Sequence, residues 1–330
     1  MRLVLGGVAQ GKRNYVKTAY HISENDIFSG ENAELEQLCG AKAVDKFHLW
    51  VRRKVKEQAD VPKLTETFIK KNPDCIVICN EVGCGVVPML KEEREYREQV
   101  GRMQVILAKS SESVERVICG IAQNKITMAF IRHGETASNR RKSYLGWTDE
   151  PLSEDGCEML LRNRKNYPAA DLIFTSPMLR CRQTKEILYK DQPYQIIEKW
   201  KEMNFGSFEG KTYFDLNGNE DYQRWIDSGG TLPFPDGESR AEFITRCKAG
   251  LLDCLMELEK QVTVQEKVVC IVHGGTIMAL FDSYGQGSYF DYQCRCGQGY
   301  ECTLSYAVDA NGVMKETSIS MRDEKIIFGE

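Results

Sequence analysis

The chain has 330 residues, of which 42% are hydrophobic and 28% charged, with a formal net charge of −4. That length exceeds what a single hydrophobic core usually organises, so two domains are expected. The mild negative balance gives no reason to expect a polyanion such as a nucleic acid as the general partner, and clusters of arginine must be read as local sites rather than as part of a global field.

The opening MRLVLGGVAQGKR has too short an apolar run for a signal peptide. No segment approaches the roughly 18 apolar residues of a membrane helix, so no membrane span is expected. The 13 cysteines form no Cys-x-x-Cys pair, and Cys294-x-Cys296 alone is weak evidence for a metal. Reduced thiols in a cytoplasmic protein, with no metal centre, are the expectation.

Residues 2–5 read as a strand, followed by Gly6-Gly7-Val8-Ala9-Gln10-Gly11-Lys12-Arg13. This fits G-x-x-x-x-G-K, in which backbone N–H groups cradle phosphates and the lysine meets their charge. Gly6, Gly11 and Lys12 are therefore candidate nucleotide-binding residues. Arg13 stands where a Ser or Thr hydroxyl usually holds Mg²⁺. Residues 43–51, AVDKFHLWV, read as a further strand that places His48 near its end. Residues 73–88 read as a buried strand running into a polar, glycine-rich loop that contains Glu81. A doubly wound sheet carries its binding groups at such a place. A helix from Glu92 carries Tyr96, Val100, Met103 and Leu107 on one face, and a strand over residues 114–119 closes the first domain.

The run NEVGCGVVP, then REYREQVGR, then a strand ending in CGI, resembles the adenosylcobinamide kinase/adenosylcobinamide-phosphate guanylyltransferase family over most of residues 1–125. The resemblance implies a P-loop domain that binds ATP or GTP with Mg²⁺, and a histidine that carries guanylate. VDKFHLWV aligns with a family strand downstream of that histidine. On that alignment His48 replaces a Thr, and the segment bearing the acceptor is missing. His21 has no matching context.

Residues 120–125 read as a short join. Beyond it an apolar strand, Met128-Ala129-Phe130-Ile131, runs into Arg132-His133-Gly134-Glu135-Thr136 and on to Asn139. Ser153 reads as a helix cap. A strand over residues 171–175 ends in Ser176-Pro177-Met178-Leu179-Arg180, which opens another helix. A loop rich in charge and glycine holds Glu202, Glu209 and, further on, Glu238. A long helix then spaces Phe243, Cys247, Leu251, Leu255 and Leu258 for burial. A strand over residues 267–272 delivers His273 to the start of the next helix. Two strand-like runs, residues 303–309 and 313 onward, flank Ala310-Asn311-Gly312, a hairpin signal.

Two His and two Arg at strand ends can converge on one sheet edge and form a pocket for a phosphoryl dianion, because guanidinium forks match phosphate oxygens. A neutral imidazole there can attack phosphorus, and a carboxyl group of raised pKa can protonate the leaving alkoxide. Glu202 is the candidate acid.

R-H-G-E-T-x-x-N, S-P-x-x-R-x-x-Q-T, E-x-x-F-G, P-x-G-E-S and V-H-G-G, in this order, resemble the histidine phosphatase superfamily (phosphoglycerate mutase-like) across residues 126–330. The resemblance implies that His133 is the nucleophile and Glu202 the proton donor. Arg132, Arg180, His273 and Asn139 would bind the transferring group, with no cofactor required. Glu209 and Glu238 read as structural or rim residues. The expected architecture is α/β in two domains, 1–125 and 126–330: a P-loop-type doubly wound sheet, then an α/β/α phosphoglycerate mutase-like sandwich.

The expected partner is a small-molecule phosphate ester. The cobinamide kinase-like neighbour points to α-ribazole 5′-phosphate or cobalamin 5′-phosphate, with nucleotide and corrinoid as partners of the first domain and cobinamide kinase activity as its candidate reaction. The alternative is a general sugar-phosphate phosphatase or phosphoglycerate mutase-like enzyme with a non-catalytic nucleotide-binding module.

Overall fold

The computed structural model describes residues 1–83, 86–260, 267–309, 313–314 and 316–328. The chain divides into two units: Met1–Asn124 with Tyr306–Ser318, and Lys125–Ser305 with Ile319–Glu330.

The first unit alternates strands and helices. In chain order these are β1 (Arg2–Gly6), α1 (Lys12–Ala19), β2 (Ile27–Ser29), β3 (Ala43–Asp45), α2 (Phe47–Lys56), α3 (Val61–Lys71), β4 (Ile76–Asn80), α4 (Lys91–Ser110) and β5 (Ser113–Ile118). The strands lie in the order β2-β3-β4-β1-β5 and are all parallel. Alternate residues feed two cores: Leu3, Val44, Val77 and Cys79 pack on one face, and Val4, Ala43, Ile76 and Ile78 on the other. A sheet covered on both faces explains why these strands read as continuous apolar runs. On α4, Tyr96, Val100, Met103 and Leu107 are the buried residues, as the spacing predicts.

Two readings of this region are corrected. Residues 43–51 are not one strand, because Lys46 adopts a left-handed conformation (φ 55°) and α2 starts at Phe47. Phe47, Trp50, Val51 and Lys54 are buried at helical spacing, so the governing period is 3.6 rather than 2. His48 thus sits in the first turn of a helix. Residues 120–125 are not a join either. Cys119 and Gly120, both at positive φ, turn the chain into β6 (Ile121–Arg132), whose first residues pair antiparallel with β5.

The second unit continues from β6 through α5 (Ala137–Arg141), α6 (Glu154–Asn163), β7 (Leu172–Thr175), α7 (Leu179–Leu188), β8 (Tyr194–Ile196), α8 (Glu220–Asp227), α9 (Arg240–Glu259), β9 (Lys267–Val272), α10 (Gly274–Tyr284), β10 (Gly299–Asp309) and β11 (Ser320–Ile327). Its parallel strands run β6-β9-β7-β8. Ser153 caps α6 by accepting from Gly156 N. β10 pairs antiparallel with β11, whose start at Ser320 is later than the sequence pattern suggests. The Ala310-Asn311-Gly312 signal lies outside the described residues.

On one face of this sheet Ala129 and Ile131 join Ile173, Val269 and Ile271. On the other, Phe130 meets Trp200 and Phe281 edge-on, with ring centroids 6.4 and 5.6 Å away. Phe130 is fully buried two residues before Arg132. Phe130→Ala is expected to cost about 3–5 kcal/mol, the usual range for emptying a buried aromatic site. A lowered urea midpoint measures it, and an unchanged midpoint would show that the cavity collapses freely.

Candidate active site

Parallel pairing sets the centre. Arg132 is in register with Val272, and the next backbone bond runs from His133 N to Val272 O at 3.0 Å. The residues after these two strand ends, His133 and His273, therefore stand side by side. Their ring centroids are 5.2 Å apart at an interplanar angle of 67°. Both are buried, at 2% and 0% exposure.

His133 Nδ1 lies 2.7 Å from Gly134 O. A carbonyl can only accept, so in the neutral ring the proton is on Nδ1 and Nε2 carries the lone pair. Gly134 is held in turn: its N–H donates to Thr184 Oγ1 at 2.9 Å, and that hydroxyl donates to Arg180 O at 2.7 Å. Burial, followed by the charges of Arg180 and Arg132, holds the His133 pKa well below 6.5. Burial and Arg180 do the same for His273, whose Nε2 meets Ser176 Oγ at 2.8 Å.

Arg180 is fully buried at the start of α7. It donates from Nη1 to Thr148 O at 3.0 Å and from Nη2 to Gly146 O at 2.7 Å. Arg132 donates from Nη1 to Cys294 O at 2.7 Å. The Nε of each guanidinium is buried without a hydrogen-bond partner. Among the described residues, neither has a carboxylate within ion-pair distance. Cations withdrawn from water are ordinarily paired, so the fully buried Arg180 and the half-buried Arg132, without such partners, form a ready site for an anion.

Glu202 faces this charge from the loop after β8. Its Oε1 accepts from Met203 N at 2.9 Å, and its Oε2 is 4.0 Å from His273 Nδ1. Burial raises its pKa despite the opposing pull of Arg180 and Arg132. Gly275 permits this approach, because a Cβ there would come within 2.5 Å of Glu202 Oε1. Asn139 lies nearby but differently. Its Oδ1 accepts from Thr136 N at 3.2 Å and from Cys296 Sγ at 3.4 Å, so the carbonyl end of its amide serves the start of α5. Asn139 also lines, with Arg132, a cavity of about 840 Å³ that includes Arg140, Lys142, Tyr144 and Arg295.

Glu209 and Glu238 both serve the loops. Glu209 Oε1 accepts from Gly146 N and Thr148 N at 2.7 and 2.9 Å, which fixes the carbonyls that hold Arg180. Glu238 accepts from Asn204 N at 2.9 Å and pairs with Arg246 at 2.7 Å. Sequence reasoning assigned no role to Ser176 or Thr184. Both lie within the S-P-x-x-R-x-x-Q-T motif, where their polar character was the only available signal.

In the first unit, Gly11 takes a left-handed conformation (φ 83°) immediately before α1. Lys12, largely buried, donates to Gly6 O at 3.2 Å and Gly7 O at 2.6 Å. Arg13 pairs with Glu24 at 2.6 Å and with Asp45 Oδ2 at 3.0 Å. The Mg²⁺ implied by the kinase resemblance does not fit this set. A guanidinium cannot ligate a cation, and it already occupies the neighbouring carboxylate. Glu81 pairs with Arg116 at 3.0 Å. His48 accepts from Asn80 N at 3.3 Å on Nδ1, and its Nε2 is 3.0 Å from Asn80 Nδ2. Burial and the Lys12 charge lower its pKa to about 4.

Residues 128–297 match the Histidine phosphatase superfamily (branch 1), and residues 32–125 match Cobinamide kinase / cobinamide phosphate guanyltransferase. The second match begins after Gly6, Gly11 and Lys12. The chain is 30% identical over 165 residues to the uncharacterized phosphatase PhoE of Bacillus subtilis (strain 168), covering 48% of this chain and 78% of that protein. It is 32% identical over 120 residues to a 2,3-bisphosphoglycerate-dependent phosphoglycerate mutase of Streptococcus mutans, covering 33% and 52%. Among solved structures, the α-ribazole phosphatase of Shigella flexneri aligns with a TM-score of 0.48 at 21% identity, over 60% of this chain and 95% of that one.

The buried imidazoles have a consequence for stability. Each titrates well below 6.5 when folded and near 6.5 when unfolded, so the unfolded chain binds more protons as pH falls. Their contribution is lost as pH drops below about 6.5. Glu202 acts in the opposite sense, because its raised pKa favours the folded state as pH falls through that value. The urea midpoint should decline between about pH 7 and pH 5.5, and less steeply in His273→Asn. Parallel slopes would mean that His273 is not held neutral.

Proposed function

The chain belongs to the histidine phosphatase superfamily (branch 1), and from that membership we propose that it hydrolyses a phosphate monoester of late cobalamin assembly, α-ribazole 5′-phosphate or cobalamin 5′-phosphate, through a phosphohistidine. The observation that carries the phosphoryl site is the pair of guanidinium groups, Arg180 fully buried and Arg132 half-buried, that have no carboxylate partner among the described residues. They supply fixed positive charge where the transferring group gathers negative charge.

His133 Nε2 attacks phosphorus in line, forming the N–P bond as the P–O bond to the alcohol breaks. Arg132, Arg180 and His273 hold the phosphoryl oxygens, with Asn139 at the rim. Glu202, whose pKa burial raises, gives a proton to the departing alkoxide. The resulting carboxylate then takes a proton from the water that attacks phosphohistidine. Phosphate leaves and both side chains return to their starting states. None of these steps calls on a metal.

The choice of alcohol rests on the neighbouring segment that matches the cobinamide kinase family. For the first unit we favour binding of a nucleotide or corrinoid without phosphoryl transfer, because Arg13 and Asp45 leave no place for Mg²⁺. A second reading, a sugar phosphatase or phosphoglycerate mutase-like enzyme, draws on the large cavity edged by Arg140, Lys142 and Arg295, which suits an ester with a second anionic group.

Four experiments test these readings. Quenching with labelled ester should trap an acid-labile, alkali-stable phosphoenzyme that His133→Ala lacks, with turnover reduced about a thousandfold or more. Glu202→Gln should lower kcat about 10²–10⁴-fold on alkyl esters and far less on p-nitrophenyl phosphate, whose leaving group needs no proton. Equal losses on both esters would remove Glu202 as the acid. Faster release of phosphate from 3-phosphoglycerate or sugar phosphates than from α-ribazole 5′-phosphate would favour the second reading. Incubating His133→Ala protein with adenosylcobinamide, ATP, GTP and Mg²⁺ should give no cobinamide phosphate, and its appearance would overturn the binding-only reading of the first unit.

A further inference from the structure

Residues 146–149, in the loop between α5 and α6, commit their backbone to Arg180 and its helix. Gly146 O and Thr148 O hold the guanidinium, while Glu209 Oε1 accepts from the N–H groups of the same two residues. Asp149 Oδ1 accepts from Leu179 N at 2.6 Å, at the start of α7. The side chain in the middle of this loop turns to a different partner. Trp147 Nε1 donates to Glu202 O at 2.9 Å, although the residue as a whole is 49% exposed. Lys201 Nζ lies 5.6 Å from the centre of its ring.

The carbonyl that Trp147 holds belongs to the peptide between Glu202 and Met203, and the N–H of that peptide donates to Glu202 Oε1 at 2.9 Å. A peptide is planar, so fixing its carbonyl also fixes the direction of its N–H. Donation to the oxygen polarises the group and strengthens the N–H as a donor. With Oε1 engaged as an acceptor, the proton of the neutral acid resides on Oε2, the oxygen 4.0 Å from His273 Nδ1. Arg246 Nη2 also reaches the Glu202 carbonyl, at 3.2 Å, but Arg246 is tied to Glu238 and to the carbonyls of Lys199 and Lys201. It anchors the loop of the acid to α9. Trp147 links the acid to the loop that holds Arg180.

Building on the phosphatase reading, we infer that Trp147 is a positioning residue for the acid: its indole N–H orients the Glu202–Met203 peptide, which aims Glu202 Oε2 at the leaving oxygen of a phosphoryl group seated on Arg180. Trp147 acts through Glu202 and bonds to neither the phosphoryl group nor the alcohol. Its contribution is made as the proton moves, so it enters the transfer step for esters whose alcohol needs a proton and leaves phosphate binding unchanged.

The test uses Trp147→Phe in the full-length protein, which keeps an aromatic ring beside Lys201 and removes the N–H donor. The quantity read is kcat/KM, because it reports the first transfer, before the phosphohistidine that all esters share. For an alkyl monoester such as α-ribazole 5′-phosphate it should fall about 5–10-fold, the size of one lost hydrogen bond. For p-nitrophenyl phosphate it should stay within about twofold, as should Ki for inorganic phosphate. Added to Glu202→Gln, the substitution should cost less than about twofold more, because both act on one proton. A loop that merely packs would disturb Arg180 as much as Glu202. Equal losses on the two esters, no loss on either, a raised Ki, a full further loss in the double variant, or a Trp147→Phe protein that does not fold would each overturn the inference and leave the phosphatase reading standing. If the wild-type protein releases phosphate from no monoester, that reading falls and takes the inference with it.

Discussion

The second unit is built around uncompensated positive charge. Arg180 is fully buried and Arg132 is fixed to a backbone carbonyl, yet among the described residues neither meets a carboxylate. Carbonyl dipoles from Gly146, Thr148 and Cys294 hold the guanidinium groups in place without cancelling them. The surrounding ionisation states follow from this. Two imidazoles in such a field stay neutral, so one keeps the lone pair a nucleophile requires. Removed from water, the Glu202 carboxyl has its pKa raised even beside two cations, because desolvation outweighs their attraction. A carboxylate placed against Arg180 would satisfy the charge and abolish the site.

The fold makes this arrangement affordable by assigning the groups to separate rigid elements. Arg132 and His133 end β6, His273 follows β9, Arg180 begins α7, and Glu202 sits on a loop fixed by Glu238 and Arg246. Adjacent parallel pairing of β6 with β9 is what turns two sequence-distant histidines into neighbours. The supporting carboxylates do not pair with Arg132 or Arg180 among the described residues, although Glu209 reaches Arg180 indirectly through the loop that holds it.

Much of this was legible from residue order, and the losses have physical reasons. The long helices announced themselves through one buried face, as with Tyr96 to Leu107 and Phe243 to Leu258. Strand ends carrying Arg or His marked the site because polar groups there have few other uses. Residues 43–51 were misread because a three-residue strand and the first turn of a buried helix are both apolar, and the left-handed Lys46 that separates them has no distinctive side chain. The tight turn at Cys119 and Gly120 hid the start of β6 for a similar reason. Ser176, Thr184 and the contact of Trp147 with Glu202 depend on which distant segments meet, and no local pattern encodes that. Asn139 was visible as a site residue, but its amide carbonyl turned out to cap α5.

One chain of contacts carries a consequence for how accurately the site can be held. His133 is oriented by the carbonyl of Gly134, whose N–H is anchored to Thr184, whose hydroxyl is anchored to the carbonyl of Arg180. His133 and Arg180 are thereby referenced to the same turn of α7. If that turn shifts by a few tenths of an ångström, both shift with it, and the separation between the His133 ring and Arg180 changes much less than either position. The linkage is a common-mode arrangement: a displacement of that turn carries both side chains together, so their spacing shares one origin.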